Sequence, residues 1–266
     1  MKPDKDYKAI NKIAWNLKTN IHVESEFYDN EAFLKGDSSL KQIELELLGD
    51  IQGKSILHLQ CHFGQDTISL SRLGAKVTGI DLSDKAIDYA SNMAKELAVD
   101  TKFICSDIYD LPNVLDEKFD IVFTSYGVIG WLPDMKRWAD VIAHFLKPGG
   151  HFIMVEFHPV VWMFDDDFKT IVYSYFKAGE IVEELQGTYA DRASEIQYAT
   201  VTWNHSLSEI LSGLIQSGIR IARFEEYNYS PQNCFNHTIR IDKDKYRIEH
   251  LDDKLPMIFA LEGIKE

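Results

Sequence analysis

The amino-acid sequence predicts an α/β fold organised as a doubly wound, mostly parallel sheet. Two observations predict it. From about residue 51 onward, short apolar runs alternate with stretches whose apolar residues recur every three to four positions, the signature of strand, helix, strand. In addition, the run His151 to Phe157 (HFIMVEF) is largely apolar, as a strand covered on both faces must be.

Residues 1–50 precede this alternation. They hold an aromatic segment, AWNLKTNIHVESEFYD, and then an amphipathic helix that turns Leu40, Ile43, Leu47 and Leu48 inward. Ser55 to Leu59 is the first strand. After the turn LHLQCHFGQD comes a short helix from Asp66 to Leu73, with Gly74 placed to end it. Lys76 to Ile80 (KVTGI) is the second strand, and Ser83 caps a helix with Ala86, Ile87, Ala90, Ala94 and Leu97 inward. Thr101 to Cys105 and Phe119 to Phe123 are the third and fourth strands. Met135, Trp138, Val141, Ile142 and Phe145 mark the buried stripe of the next helix, which stops at Lys147-Pro148-Gly149-Gly150 before the fifth strand.

Residues 159–204 break the rhythm. VVWMFDDDF is followed by strand-like pieces near IVYSYF, EIVEEL and QYATVTW, which read as a β-rich insertion. Helical periodicity resumes with a capping box, Ser206 to Glu209, and an inward stripe of Leu207, Ile210, Leu211, Leu214 and Ile215, ended by Gly218. IRIARFEEY and PMIFALEGI supply two further strands. No repeat and no Gly/Ser-rich linker divides the chain. The expectation is one domain over 1–266: an N-terminal part (1–50), a core (51–158), the insertion (159–204), and a C-terminal helix with a closing strand pair (205–266).

The net charge of −14, from 28 basic and 42 acidic side chains, argues against nucleic-acid or anionic-membrane partners. Cys61, Cys105 and Cys234 are odd in number and widely spaced, which suits a reducing compartment. The N-terminus is polar, and no run of about 18 apolar residues occurs. The expectation is a cytoplasmic protein, monomer or homodimer, acting on a small molecule.

The turn after the first strand crowds His58, Cys61 and His62 together, which raises the question of a metal. A structural zinc site needs four ligands and a catalytic one about three. His58 lies within the strand, so its side chain need not converge with that of Cys61, and no CxxC or HxxxH pair completes the set. The stretch reads instead as a cofactor turn. Ligands of open parallel sheets bind beyond the carboxyl ends of the strands, and Gly64 suits a turn that brings backbone N–H groups to a ligand. Asp81, with Leu82 beside it, ends the second strand, where a carboxylate accepts from two vicinal ribose hydroxyls. Ser106-Asp107-Ile108 follow the third strand, where an acidic side chain can accept from an exocyclic adenine amine while Ile108 flanks the ring. Together they imply an adenosine-containing cofactor.

In these features residues 51–158 resemble the class I S-adenosylmethionine-dependent methyltransferases. The order matches: strand, glycine turn, acidic end of the second strand, D-I-x-x-L-P after the third, FDIVFTSYGVIGWLPD, and LKPGG before the fifth. The resemblance implies a Rossmann-like seven-stranded sheet whose last two strands form an antiparallel closing pair, under an N-terminal helical lid. It implies S-adenosyl-L-methionine as cofactor, and methyl transfer to an unidentified small molecule by in-line displacement. From the lid, Trp15 and Tyr28, near His22, would stack by the cofactor. The departure is the turn itself. Where the family shows an acidic residue and G-x-G-x-G, this chain has His58, Gln60, His62 and Gly64; Cys61 is a common occupant of its position. Either the turn widens, or Gln60 and His62 make polar contacts of their own.

Two residues stand out for chemistry. Tyr126 is placed to line the methyl site or to pack beside the cofactor. His158, in EFHP, is placed to take a proton from a substrate hydroxyl or to bond nearby backbone. Glu156 contacts substrate or pairs internally. Asp165-Asp166-Asp167 reads as a solvated loop rather than a cation site, and His205 as a capping residue. Two alternatives stay open: a non-catalytic module binding S-adenosylmethionine or S-adenosylhomocysteine, and a nicotinamide-dependent oxidoreductase, which shares Asp81 but expects G-x-G-x-x-G.

Overall fold

The computed structural model describes residues 6–266. Three helices come first, α1 (Tyr7–Glu24), α2 (Asn30–Leu34) and α3 (Gln42–Leu48). The alternation then runs β1 (Ser55–Leu59), α4 (Gln65–Arg72), β2 (Lys76–Asp81), α5 (Asp84–Glu96), β3 (Lys102–Cys105), β4 (Phe119–Ser125), α6 (Met135–Phe145) and β5 (Leu146–Phe157). A hairpin of β6 (Ile181–Gln186) and β7 (Gln197–Thr202) precedes α7 (Leu207–Gln216) and β8 (Ile219–Tyr227). A second hairpin, β9 (Thr238–Asp242) and β10 (Lys245–Ile248), comes before the last strand, β11 (Ile258–Lys265).

The sheet has seven strands in the order β3-β2-β1-β4-β5-β11-β8. Its first five strands are parallel, and β11 runs antiparallel to both β5 and β8. Strand order reverses between β1 and β4, the place where such sheets open a crevice at their carboxyl ends.

Side-chain alternation along the strands feeds two apolar layers. On one side Leu57, Leu59, Val122, Phe152 and Met154 pack against Trp138, Ile142 and Phe145 of α6 and Ile210 and Leu214 of α7. On the other, Ile56, Val77, Phe123 and Ile153 meet Leu40, Leu48 and Leu70. Each large side chain removed from water here contributes about 1.5 to 3 kcal/mol. The helix caps are those read from the sequence: Ser83 accepts from Ala86 N at 3.0 Å, and Ser206 from Glu209 N at 3.2 Å. The Glu209 side chain does not close the capping box. It turns to His205 Nδ1 at 3.1 Å, while His205 Nε2 bonds the Leu132 carbonyl at 2.7 Å.

The structure departs from the sequence reading in three places. IVYSYF (171–176) is no strand, because Val172 N bonds back to Met163 O and leaves Ile171, Val172 and Phe176 exposed. Ile215, expected to face inward, is 61% exposed, since α7 buries the Ile210–Leu214 stripe instead. The β9–β10 hairpin was not expected. Its turn at Asp244 takes a left-handed conformation without any glycine. Among the described residues, no helix is long and apolar enough to cross a membrane.

Candidate functional site

A cavity of about 1360 Å³ opens where the carboxyl ends of β1 to β5 converge. Its floor is the turn Gln60–Gly64. Gly64 has φ +85°, and a Cβ there would sit 2.8 Å from both the Ala90 Cβ and the Phe103 ring, so the close approach of turn to α5 and β3 requires glycine. Gly79, whose Cβ would lie 2.9 Å from Cys61 Sγ, does the same for β2.

Gln60 and His62 keep the left-handed backbone of glycines, at φ +55° and +50°, at a cost of about 1 kcal/mol each. Their side chains fold away from the turn. Gln60 Nε2 donates to Val128 O at 2.9 Å, and His62 Nε2 lies 2.9 Å from His22 Nδ1 on α1. Gln60 and His62 thus make polar contacts of their own. The Gln60 Oε1 and His62 Nδ1 atoms remain buried without partners among the described residues. Burial holds His62 down to about 3 and His22 lower still, so both imidazoles are neutral.

Beside the turn, Asp81 accepts from His62 N and from Ser83 N, both at 2.8 Å, one on each carboxylate oxygen. Burial pushes its pKa up to about 6 against the pull of these donors. Each oxygen keeps acceptor capacity toward the cavity, which Leu82 also lines. Further along the same wall lie Ser106, Asp107 and Ile108. The Asp107 carboxylate accepts from Tyr109 N at 2.9 Å and pairs with Lys8 at 2.9 Å. Asp81 and Asp107 thus border one continuous groove.

Cys61 is buried, with its amide on Ile80 O at 2.8 Å. His58 is turned to Thr67 Oγ1 at 2.8 Å, away from Cys61 and His62. Among the described residues, no group of three His, Cys, Asp or Glu side chains is arranged to hold a metal ion.

The roof comes from α1 and the loop after it. Trp15 stands edge-on to His62 and to Trp131, both at 5.1 Å, and Tyr28 packs on Phe63 and His62 while its hydroxyl meets that of Tyr189 at 2.5 Å. Tyr126 lines the cavity, but its hydroxyl is buried toward the Glu44 carboxyl, and burial raises its pKa well above the usual phenol value. Burial likewise pushes Glu44 up to about 7.

The structure removes His158 from the site. Its Nδ1 accepts from Val160 N at 3.2 Å, its Nε2 lies 2.8 Å from Glu226 Oε1, and its ring packs on Phe259, so it faces the sheet edge rather than the cavity. Glu156 points into the site, but the chain leaves β5 after Phe157, and His158 N bonds Met257 O at 2.9 Å beside β11, which carries its ring away from the face that Glu156 uses. Glu156 pairs internally. Its carboxylate accepts from Gly127 N, from Val128 N at 2.8 Å, from Ile129 N at 3.2 Å and from Phe157 N at 2.6 Å, and so shapes the loop after β4. Of the acidic run, Asp165 caps Lys169 N at 2.8 Å and Asp167 pairs with His237 at 2.8 Å.

Several wall residues went unread in the sequence: Lys18, Trp131, Tyr189 and Tyr198. A signal for Lys18 existed. Asn11, Trp15, Lys18 and His22 recur at helical spacing, and the face of α1 turned inward is polar, with Asn11, Lys18, Thr19 and His22 all buried. A helix that buries such a face lines a site rather than a core.

Comparison with known proteins agrees with the fold. Residues 56–150 match the family described as a methyltransferase domain. The chain is 28% identical over 193 residues to a ubiquinone biosynthesis O-methyltransferase from Coxiella burnetii, covering 72% of this chain and 74% of that one. Among solved structures it is similar to a geranyl diphosphate C-methyltransferase from Streptomyces coelicolor (TM-score 0.61, 16% identity, 99% of this chain and 100% of the other). It is also similar to an S-adenosylmethionine-dependent methyltransferase from Mesorhizobium loti (TM-score 0.56, 20% identity, 87% and 100%).

Proposed function

We propose that the chain, whose residues 56–150 match a methyltransferase domain and whose fold is that of S-adenosylmethionine-dependent methyltransferases, transfers a methyl group from S-adenosyl-L-methionine to a small molecule. One observation carries the reading: a single cavity joins Asp81 and Asp107 to the turn at 60–64 and to aromatic walls from α1 and the 159–204 segment. Its volume exceeds the usual range for one small ligand, leaving room for cofactor and acceptor together.

The groups present fit the cofactor. Asp81 has spare acceptor capacity for ribose hydroxyls, and Asp107 and Ile108 border the space for an adenine. The orphaned Gln60 Oε1 and His62 Nδ1 are buried polar atoms that a bound polar group would satisfy. When bound, the cofactor supplies an electrophilic methyl on a sulfonium. The chain then aligns the acceptor and excludes water: Trp15 and Tyr28 cover the turn, and Tyr126 stands at the end of β4 with its hydroxyl buried. We read the chain as one unit, with residues 1–50 as a lid and 159–204 as the acceptor-side insertion.

Isothermal titration with S-adenosylhomocysteine, followed by a labelled-methyl assay against small hydroxylated and carbon-acid acceptors, tests the proposal. Both acceptor types belong in the assay, since one relative is an O-methyltransferase and one structural neighbour a C-methyltransferase. Cofactor binding with no labelled product from any acceptor pool would favour a binding module. Binding of NAD in place of S-adenosylhomocysteine would restore the oxidoreductase reading.

A further inference from the structure

The polar face of α1 satisfies most of its buried groups, leaving His22 Nε2 without a partner among the described residues and Lys18 without a counter-ion. Asn11 Nδ2 donates to Val201 O at 2.8 Å and its Oδ1 accepts from Val201 N at 2.9 Å. Thr19 donates to Trp15 O at 2.7 Å, and His22 meets His62. Lys18 is only 5% exposed, yet among the described residues no carboxylate stands within ion-pair distance of it, in a chain with 42 acidic against 28 basic side chains. What surrounds its ammonium is aromatic: the Trp15 and Trp131 ring centroids at 4.7 Å and that of Tyr198 at 4.9 Å.

Three rings recover part of the cost of taking a cation out of water, but not all of it. A buried charge is ordinarily paired, and Lys18 lines the cavity, where a pairing group can reach it. The cage is assembled from α1, the loop after β4, and β7 of the inserted hairpin. β7 belongs to the 159–204 segment read above as the acceptor-side insertion. Lys18 therefore stands on the acceptor side. Being one cation, it matches one negative charge, and flat rings on three sides suit a flat ligand.

We propose that the methyl acceptor is a small aromatic carboxylate, whose carboxylate is held by the Lys18 ammonium within the cage of Trp15, Trp131 and Tyr198. The proposal rests on the methyltransferase reading of the cavity and names the class of substrate it takes. Burial lowers the Lys18 amine to about 7, so a counter-charge brought beside it would draw a proton onto it.

The test titrates the S-adenosylhomocysteine-loaded protein with benzoate, phenylacetate and cinnamate, and with their primary amides. The acids should bind at least about tenfold more tightly than the amides, and Lys18→Met should erase the difference without changing S-adenosylhomocysteine affinity. A second readout needs no variant. Acid binding at pH 8, repeated in buffers of different ionisation heat, should show proton uptake by the amine. The other titratable groups facing it cannot supply that uptake: His22 and His62 stay neutral, and Tyr198 is pushed up to about 12. Equal binding of acids and amides, or no binding of either, overturns the proposal. So does an equal loss of S-adenosylhomocysteine affinity in Lys18→Met, which would assign the ammonium to the cofactor's own carboxylate. Failure of the wild type to bind S-adenosylhomocysteine would strike the methyltransferase reading instead, while discrimination of acids from amides by the unloaded protein would still uphold the role of Lys18.

Discussion

His22 Nδ1 and His62 Nε2 lie 2.9 Å apart, so a side chain of the first helix is hydrogen-bonded to the turn after the first strand. One ring nitrogen carries the proton and the other accepts it; both rings are neutral and buried. Replacing His62 with glycine relieves the left-handed backbone but removes this bond and the ring contacts to Trp15, Tyr28 and Phe63. Amides of α1 should then exchange with solvent about tenfold faster in His62→Gly and His22→Ala alike, while those of β1 and β4 stay protected. Unaltered protection of α1 in both variants would mean that the pair does not fasten the helix.

Asp81 organises the opposite end of the turn through its two backbone donors. Asp81→Ala leaves the His62 and Ser83 amides short of an acceptor and deprives a ribose of its partner. Affinity for S-adenosylhomocysteine should fall by about 1 to 3 kcal/mol in calorimetric titration. An unchanged dissociation constant would contradict the placement of the ribose.

Glu44 sets a pH dependence whose sign follows from its burial, with the nearby Asp66 charge acting in the same direction. Its folded pKa of about 7 lies above the unfolded value, so its favourable share is fully present below about pH 4.5 and is lost as pH rises through 7. Glu44→Gln removes that loss. The variant should gain about 2 kcal/mol over the wild type at pH 8 to 9, with the gain vanishing by about pH 4.5, as read from thermal midpoints across the range. A gain of equal size at every pH would point to packing, not ionisation.

His158 gives the converse expectation. Because it faces Glu226 and Phe259 and not the cavity, His158→Gln should leave the methyl-transfer rate within about twofold of the wild type. A loss of several orders of magnitude would return it to the site.

Much of this was legible in the chain because its causes are local. Ser83 caps α5 whatever surrounds it, and the stripe from Met135 to Phe145 needs only a surface to bury against. Gly64 and Asp81 were legible for a related reason: a tight turn and the end of a strand constrain residue type at fixed spacing. The orientation of His158 was not, because it depends on where Glu226 of β8 and Phe259 of β11 arrive from far along the chain. Lys18 was missed for the same kind of reason, since its cage needs Trp131 and Tyr198 from two other segments. The histidines of the turn misled only in part. Their spacing suggests ligands, while in the fold one faces Thr67 and the other faces the first helix.

Asn11 bonds the backbone of Val201 in both directions, which gives α1 the standing of a partner strand to the edge of β7. Swinging the helix away by itself would strand a buried amide and two main-chain groups, at roughly 1 to 3 kcal/mol for each group left unsatisfied. The helix and the hairpin are therefore held to one another by the same two bonds. It follows that the two walls these elements give the cavity are coupled, so that a substitution loosening one loosens the other.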